Sequence, residues 1–178
     1  MPTIFSETDD QRYAELQQLA LDHARQGETG PLGLMVSHGL PVNLADAKGN
    51  SLLMLAAYNG NPETVRMLLA HGADVDRRND RGQTPLGGVA FKGYEEIVTL
   101  LLEYGADADA DNGAGMTPLM FAAMFGRTGV VEQLKRHGAS LRRRNRFGIS
   151  ARWLVAISNL IARLRGQPQP QRALPAQP

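Results

Sequence analysis

The stretch "GQTPLGGVAFKGYEEIVTLLLEYGADAD", residues 82–109, decides the fold because its phrasing recurs. Thirty-three residues later, 115–142 reads "GMTPLMFAAMFGRTGVVEQLKRHGASLR", and thirty-three earlier, 49–76 reads "GNSLLMLAAYNGNPETVRMLLAHGADVD". Four columns keep the interval: Gly49, Gly82, Gly115 and Gly148; Gly27, Gly60, Gly93 and Gly126; Gly39, Gly72, Gly105 and Gly138; and Ala24, Ala57, Ala90, Ala123 and Ala156. A fixed period of this length marks a chain built from stacked structural repeats.

Each unit reads as two helices and a reversal. Thr84-Pro85 and Thr117-Pro118 place a capping hydroxyl before a proline that a helix tolerates at its first position. Ala56/Ala57 and Ala122/Ala123 let neighbouring first helices approach closely. Val65, Leu68 and Leu69, and then Ile97, Leu100 and Leu101, give the second helix an apolar stripe at i, i+3, i+4. Gly72, Gly105 and Gly138 follow where a left-handed cap is wanted. The apolar face of each unit is covered only by its neighbour, so stability comes from stacking.

With G-x-T-P-L at 82–86 and 115–119 and LL-x-x-GAD at 68–74 and 101–107, the chain resembles the ankyrin repeat family over most of its length. The resemblance implies an all-α solenoid of stacked helix-turn-helix units with projecting β-hairpin loops, and a concave face that binds other proteins. Residues 46–78, 79–111 and 112–144 are then full repeats. Residues 1–45 form an N-terminal helix and capping repeat, with Ser6 and Asp9 placed as a capping box. Residues 145–166 form a truncated capping repeat that loses most of its second helix in "LIARLRG". The Pro/Gln-rich tail, 167–178, is expected to be disordered.

Composition narrows the function. The 178 residues contain no cysteine, which excludes disulfides, thiolate metal ligands and thiol catalysis. An acidic start without an apolar core and the lack of a long apolar run predict a soluble, cytoplasmic protein, and the arginine-, alanine- and glycine-rich composition suggests a bacterial one. Net charge is +1, yet residues 1–126 carry 8 basic and 17 acidic side chains, and residues 127–178 carry 11 basic and 1 acidic. Such asymmetry bears on partners, not on fold.

The chemical motifs dissolve into the repeat. "DADADNG" at 107–113 alternates acids like a calcium loop, but Asn112 stands where glycine is needed and Pro118 where the closing glutamate belongs. His38, His71 and His137 share a column before the capping glycines, a favourable place for a base beside a helix C-terminus. No Walker loop, G-x-S-x-G or H-E-x-x-H occurs. No catalytic residue, metal or cofactor is expected, and the chain reads as a monomeric, non-enzymatic scaffold.

The resemblance implies a partner-binding face built from the hairpin tips and the exposed edge of each first helix, and the register says which residues stand there. Tyr58, Phe91, Met124 and Ile157 form one column beside Asn59, Lys92 and Phe125, while core duty falls to Leu53, Leu86, Leu119 and the alanines. Exposed aromatic and methionine side chains in a row are typical of an interface centre. The expected site is Tyr58, Asn59, Phe91, Lys92, Met124 and Phe125, with selectivity from the hairpin residues Arg78, Arg81, Met116, Arg144, Arg146 and Phe147. Hairpin segments "DVDRRNDRG", "DADADNGAG" and "SLRRRNRFG" write one slot as mixed, acidic and basic, so the partner carries an acidic segment facing the C-terminal repeats.

Two alternatives stay open. The basic end (Arg142, Arg143, Arg144, Arg146, Arg163 and Arg165, with Phe147 or Trp153 for stacking) suits nucleic acid or another polyanion. Trp153, Leu154, Ile157 and Leu160 suit self-association. Gly87 and Gly88 are each worth about 1 kcal/mol less than alanine inside a helix; either Gly87 makes room for Met54 and Met120, or the pair marks a weak middle repeat that lets the stack flex.

Overall fold

The computed structural model describes residues 7–166; the Ser6 half of the capping box and the 167–178 tail lie outside them. Nine helices form among the described residues. They are α1 (Glu7–Gln26), α2 (Thr29–Ser37), α3 (Leu52–Asn59), α4 (Pro62–Ala70), α5 (Pro85–Lys92), α6 (Glu95–Glu103), α7 (Pro118–Met124), α8 (Thr128–Arg136) and α9 (Ala151–Gly166). The odd-numbered helices pack side by side in one row, and α2, α4, α6 and α8 pack in a second row behind them. This is the expected all-α solenoid.

Capping explains where the first helices start. Thr84 Oγ1 accepts from Gly87 N–H at 3.2 Å and Thr117 Oγ1 from Met120 N–H at 3.3 Å. Ser51 and Ser150, in the same column, do likewise for Met54 at 3.1 Å and Trp153 at 3.3 Å. Gly72, Gly105 and Gly138 adopt φ of +81°, +85° and +84° behind the second helices. A single core runs through the stack: Leu53, Leu86 and Leu119 are fully buried, as are Ala24, Ala57, Ala90, Leu68 and Leu101. Each such leucine contributes about 1.5–3 kcal/mol relative to exposure.

The projecting loops are tighter than the expected β-hairpins. Among the described residues no strand forms; only isolated bridges join Ala45 to Ser51 and Arg144 to Ser150. Side chains reinforce the backbone bonds that close the turns, such as Asn79 N–H to the Gln83 carbonyl at 3.0 Å. Asp46 Oδ1 accepts from the N–H groups of Lys48 and Asn50, and Asn79 Oδ1 from Arg81 and Gln83. Asn145 Oδ1 repeats this with Phe147 and Ile149. The third loop breaks the column: Asp111, not Asn112, accepts from Gly113 and Gly115 at 2.9 Å. The side-chain acceptor there is displaced by one residue, although Asn112 N–H still donates to the Met116 carbonyl at 2.8 Å as its column requires, and Ala114 takes a left-handed φ of +58°.

The last unit also departs from expectation. "LIARLRG" is not a remnant second helix but the continuation of α9, which runs unbroken through 16 residues. The column that ends α3 and α5 with Gly60 and Gly93 holds Asn159 here, so the glycine terminator is missing and the helix proceeds.

Candidate partner-binding face

A groove of about 630 Å³ opens between the loop tips and the exposed edge of the first helices. Tyr58 of α3, Phe91 of α5 and Phe125 at the end of α7 line one side, and Phe121 of α7 joins them. Phe91 and Phe125 meet edge to face with ring centroids 4.3 Å apart. Register had put these two rings in separate columns; the stack brings them together across α5 and α7. Lys92 Nζ sits 4.3 Å from the centroid of Tyr58. Aromatic pairs and cation–π contacts of this kind hold exposed rings in fixed positions. Met124 is 55% exposed along the same edge, and Ile157 is half-buried on α9. Asn59 is exposed but turns its Nδ2 back to the Leu55 carbonyl at 2.8 Å.

The loop residues divide into two kinds. Arg78 and Arg144 brace their own turns, donating from Nη1 to the carbonyls of Gly82 at 2.7 Å and Gly148 at 2.6 Å. Arg78 also donates to the Asp111 carbonyl of the next loop. Met116 is half-buried against the core, and Asn145 Nδ2 points at its sulfur. Arg81 is exposed and lines the groove together with Lys48 and Asp80. Among the described residues neither Lys48 nor Arg81 enters a salt bridge. Arg146 and Phe147 stand at the far tip, where Phe147 is 77% exposed with the guanidinium carbon 5.8 Å from its ring.

Among the groove residues that the register does not single out are Lys48, Asp80, Gly88 and Phe121. The available signal was the column Leu55, Gly88, Phe121 and Leu154, in which a glycine interrupts large apolar side chains. Gly87 has a different reason. A Cβ there would overlap the carboxamide of Asn112, so Gly87 makes room for Asn112 and not for the two methionines. Asn112, freed from its turn by Asp111, accepts at Oδ1 from Thr84 N–H at 2.7 Å and Thr84 Oγ1 at 3.0 Å. Its Nδ2 donates to the Ala110 carbonyl at 2.9 Å. All of this is buried.

Asp109 of the alternating run, with Asn43 and Asp76 of its column, staples neighbouring repeats together. Asn43 Oδ1 accepts from Asp74 N–H, Asp76 Oδ2 from Asp107 N–H and Asp109 Oδ1 from Ser140 N–H, each at 2.9 Å and each one repeat apart. Burial pushes the Asp76 carboxyl above its ordinary value, and the nearby Asp107 and Asp74 carboxylates add to the rise against the bond from Asp107 N–H and the charge of Arg78. Asp46 goes the other way. Burial raises it, but hydrogen bonds from the Asn50 side chain and from Lys48 and Asn50 N–H, with Arg25, outweigh that and hold it low. His38, His71 and His137 each point Nδ1 at the carbonyl four residues earlier, at 2.7, 2.8 and 2.9 Å, which places the proton on Nδ1.

At the C-terminal end Arg142, Arg143, Arg146, Arg152 and Arg163 are exposed, while the Arg165 side chain lies outside the described residues. Trp153 and Leu160 are exposed on α9; Leu154 packs partly against the core. Among the described residues no helix is long and apolar enough to cross a membrane. No cluster of three histidine or acidic side chains there is arranged to hold a metal ion.

A family model described as ankyrin repeats (3 copies) matches residues 20–112 and 53–145. A curated ankyrin repeat protein of Pseudomonas aeruginosa is 46% identical over 57 residues, which is 32% of this chain and 33% of that protein. The chain thus spans about a third of the length of the curated relative it matches.

Proposed function

Because the chain belongs to the ankyrin repeat family, whose members are generally protein–protein interaction scaffolds, we propose that it binds a protein or peptide partner, without catalysis, across the groove between its loop tips and first-helix edges. One observation carries the reading: aromatic side chains of three neighbouring repeats meet along the groove, the half-buried Phe91 against the exposed Phe125 and the exposed Tyr58 against Lys92. Rigid aromatic groups at the centre of a face supply most of the affinity of a typical interface. Arg81, Arg146 and Phe147 extend the face along the tips, and one copy of the chain suffices to form it. The partner's acidic segment lies toward the basic C-terminal loops.

The test is capture of partners from native lysate by the wild-type chain and by a Tyr58→Ala/Phe91→Ala variant with unchanged far-UV circular dichroism. Loss of the partners in the variant is expected; equal recovery would show that another face binds.

The cluster of exposed Arg142, Arg143 and Arg146 beside Phe147 favours a second reading, recognition of a polyanion at the C-terminal end. Oligonucleotide affinity measured across a salt series separates the two. A steep fall with salt supports phosphate recognition, and no measurable binding at low salt removes it.

A further inference from the structure

Gly88 has no role in the fold comparable to that of its neighbour. Its φ is outside the left-handed region, so the backbone does not demand glycine, and inside a helix it costs about 1 kcal/mol relative to alanine. A Cβ at Gly88 would meet the ring edge of Tyr58, with Cδ2 at 3.3 Å and Cε2 at 3.9 Å, a contact that a small shift of that ring relieves. In the flanking helices the same column carries Leu55 and Phe121. The missing side chain leaves a depression in the groove floor beside Tyr58, and Phe91, Phe121 and Phe125 line the same groove. Lys48 and Arg81 line the groove as well, with Asp80 as the one acidic lining residue.

We propose that the depression at Gly88 is a recognition pocket that takes one bulky apolar side chain of an acidic peptide segment. The inference rests on the groove being the binding face. The aromatic walls and the bare backbone floor fit a leucine-, methionine- or phenylalanine-sized group, whose transfer from water drives binding. Lys48 and Arg81, without salt-bridge partners among the described residues, select carboxylates on either side of that group and disfavour lysine. Gly88 is thus the specificity-determining residue: a larger side chain there fills the space reserved for the partner.

The experiment uses the full chain and two sets of fluorescein-labelled nonapeptides read by fluorescence anisotropy. One set flanks a central leucine, phenylalanine or alanine with glutamates; the other flanks the same residues with lysines. The glutamate-flanked leucine and phenylalanine peptides should bind at least about tenfold more tightly than the alanine peptide, which corresponds to one well-buried apolar side chain. The lysine-flanked peptides should bind more weakly still. Gly88→Ala should weaken the leucine peptide and Gly88→Leu should weaken it at least about tenfold, with neither variant melting below wild type. Equal affinity for leucine and alanine peptides, lysine-flanked peptides binding as tightly, an unchanged affinity in Gly88→Leu, or no binding by any peptide overturns the pocket. If peptides bind in a way that Tyr58→Ala/Phe91→Ala abolishes while the central residue is immaterial, the pocket falls and the binding face stands. If binding survives that double variant, the face itself is wrong.

Discussion

Gly87→Ala tests whether a helix glycine is merely tolerated or required. Helix propensity alone says that alanine at this position stabilises α5 by about 1 kcal/mol. Packing opposes it, because Gly87 is buried and the added Cβ would overlap the Asn112 carboxamide. Asn112 does not yield freely: it accepts from Thr84 N–H at 2.7 Å and Thr84 Oγ1 at 3.0 Å, and it donates to Ala110 at 2.9 Å. Displacing it leaves the buried Thr84 N–H without an acceptor, at about 1–3 kcal/mol, and weakens two further bonds worth about 1 kcal/mol each. The loss exceeds the propensity gain, and the net destabilisation is about 2–3 kcal/mol. For a chain of this size that lowers the melting temperature by about 5–10 °C. Thermal and urea unfolding followed by far-UV circular dichroism measure it. In an Asn112→Ala background the overlap is gone, and there Gly87→Ala should raise stability by about 1 kcal/mol. The same substitution thus reverses sign between backgrounds, a coupling that only contact between the two side chains produces. A Gly87→Ala protein as stable as wild type, or an equal loss in both backgrounds, refutes the packing account.

Asp76→Asn should melt a few degrees higher than wild type at pH 7. A carboxyl raised by burial binds its proton more tightly in the folded chain, so its charge costs stability above the folded value. The advantage of the variant should therefore shrink as pH falls through that value and vanish below 3.8, the ordinary aspartate value; a gap independent of pH would mean the charge is not the cause. Asn43 already does the stapling work of this column with an amide. Thr117→Ala should cost about 1 kcal/mol by removing the cap on Met120 N–H, whereas Thr117→Ser should cost little because Ser51 and Ser150 cap their helices in the same way. Chemical denaturation of the three proteins decides it, and equal losses for alanine and serine would point to the threonine methyl group instead.

Much of the architecture was legible because every column is written several times. One serine or threonine before a helix is a weak signal, but Ser51, Thr84, Thr117 and Ser150 at equal spacing constrain the helix starts jointly, and all four cap as their positions require. The groove edge was visible for the same reason. What register could not supply was the direction of individual side chains. Arg78 and Arg144 look like free cations in sequence, yet each is spent on its own turn carbonyl. Phe91 and Phe125 belong to different columns, and only the offset between neighbouring helices makes them a pair. In the third loop Asp111 and Asn112 are adjacent acceptors of similar reach. The choice between them depends on whether the chain can enter a left-handed turn at Gly113 and Ala114, which it does. The end of α9 was legible in principle, since Asn159 sits where glycine closes the other first helices.

In a repeat protein the columns stabilise the stack, so departures from them are where individual character is written. Three departures meet at one place here. Asp111 takes over the turn of the third loop, which frees Asn112 to reach back one repeat. Asn112 then needs a glycine at 87 and secures the start of α5 through Thr84. Gly88, next in line, leaves the groove open above that same helix. A glycine pair would ordinarily loosen a helix of only 8 residues, costing about 2 kcal/mol relative to two alanines. The buried Asn112–Thr84 bonds offset that cost on the core side and hold the helix start in place while its outer edge stays bare. Changes scattered through three columns without regard to one another would not compensate in this way. Their convergence on the groove floor is what ties the irregular third loop, some 25 residues away in sequence, to the proposed binding face.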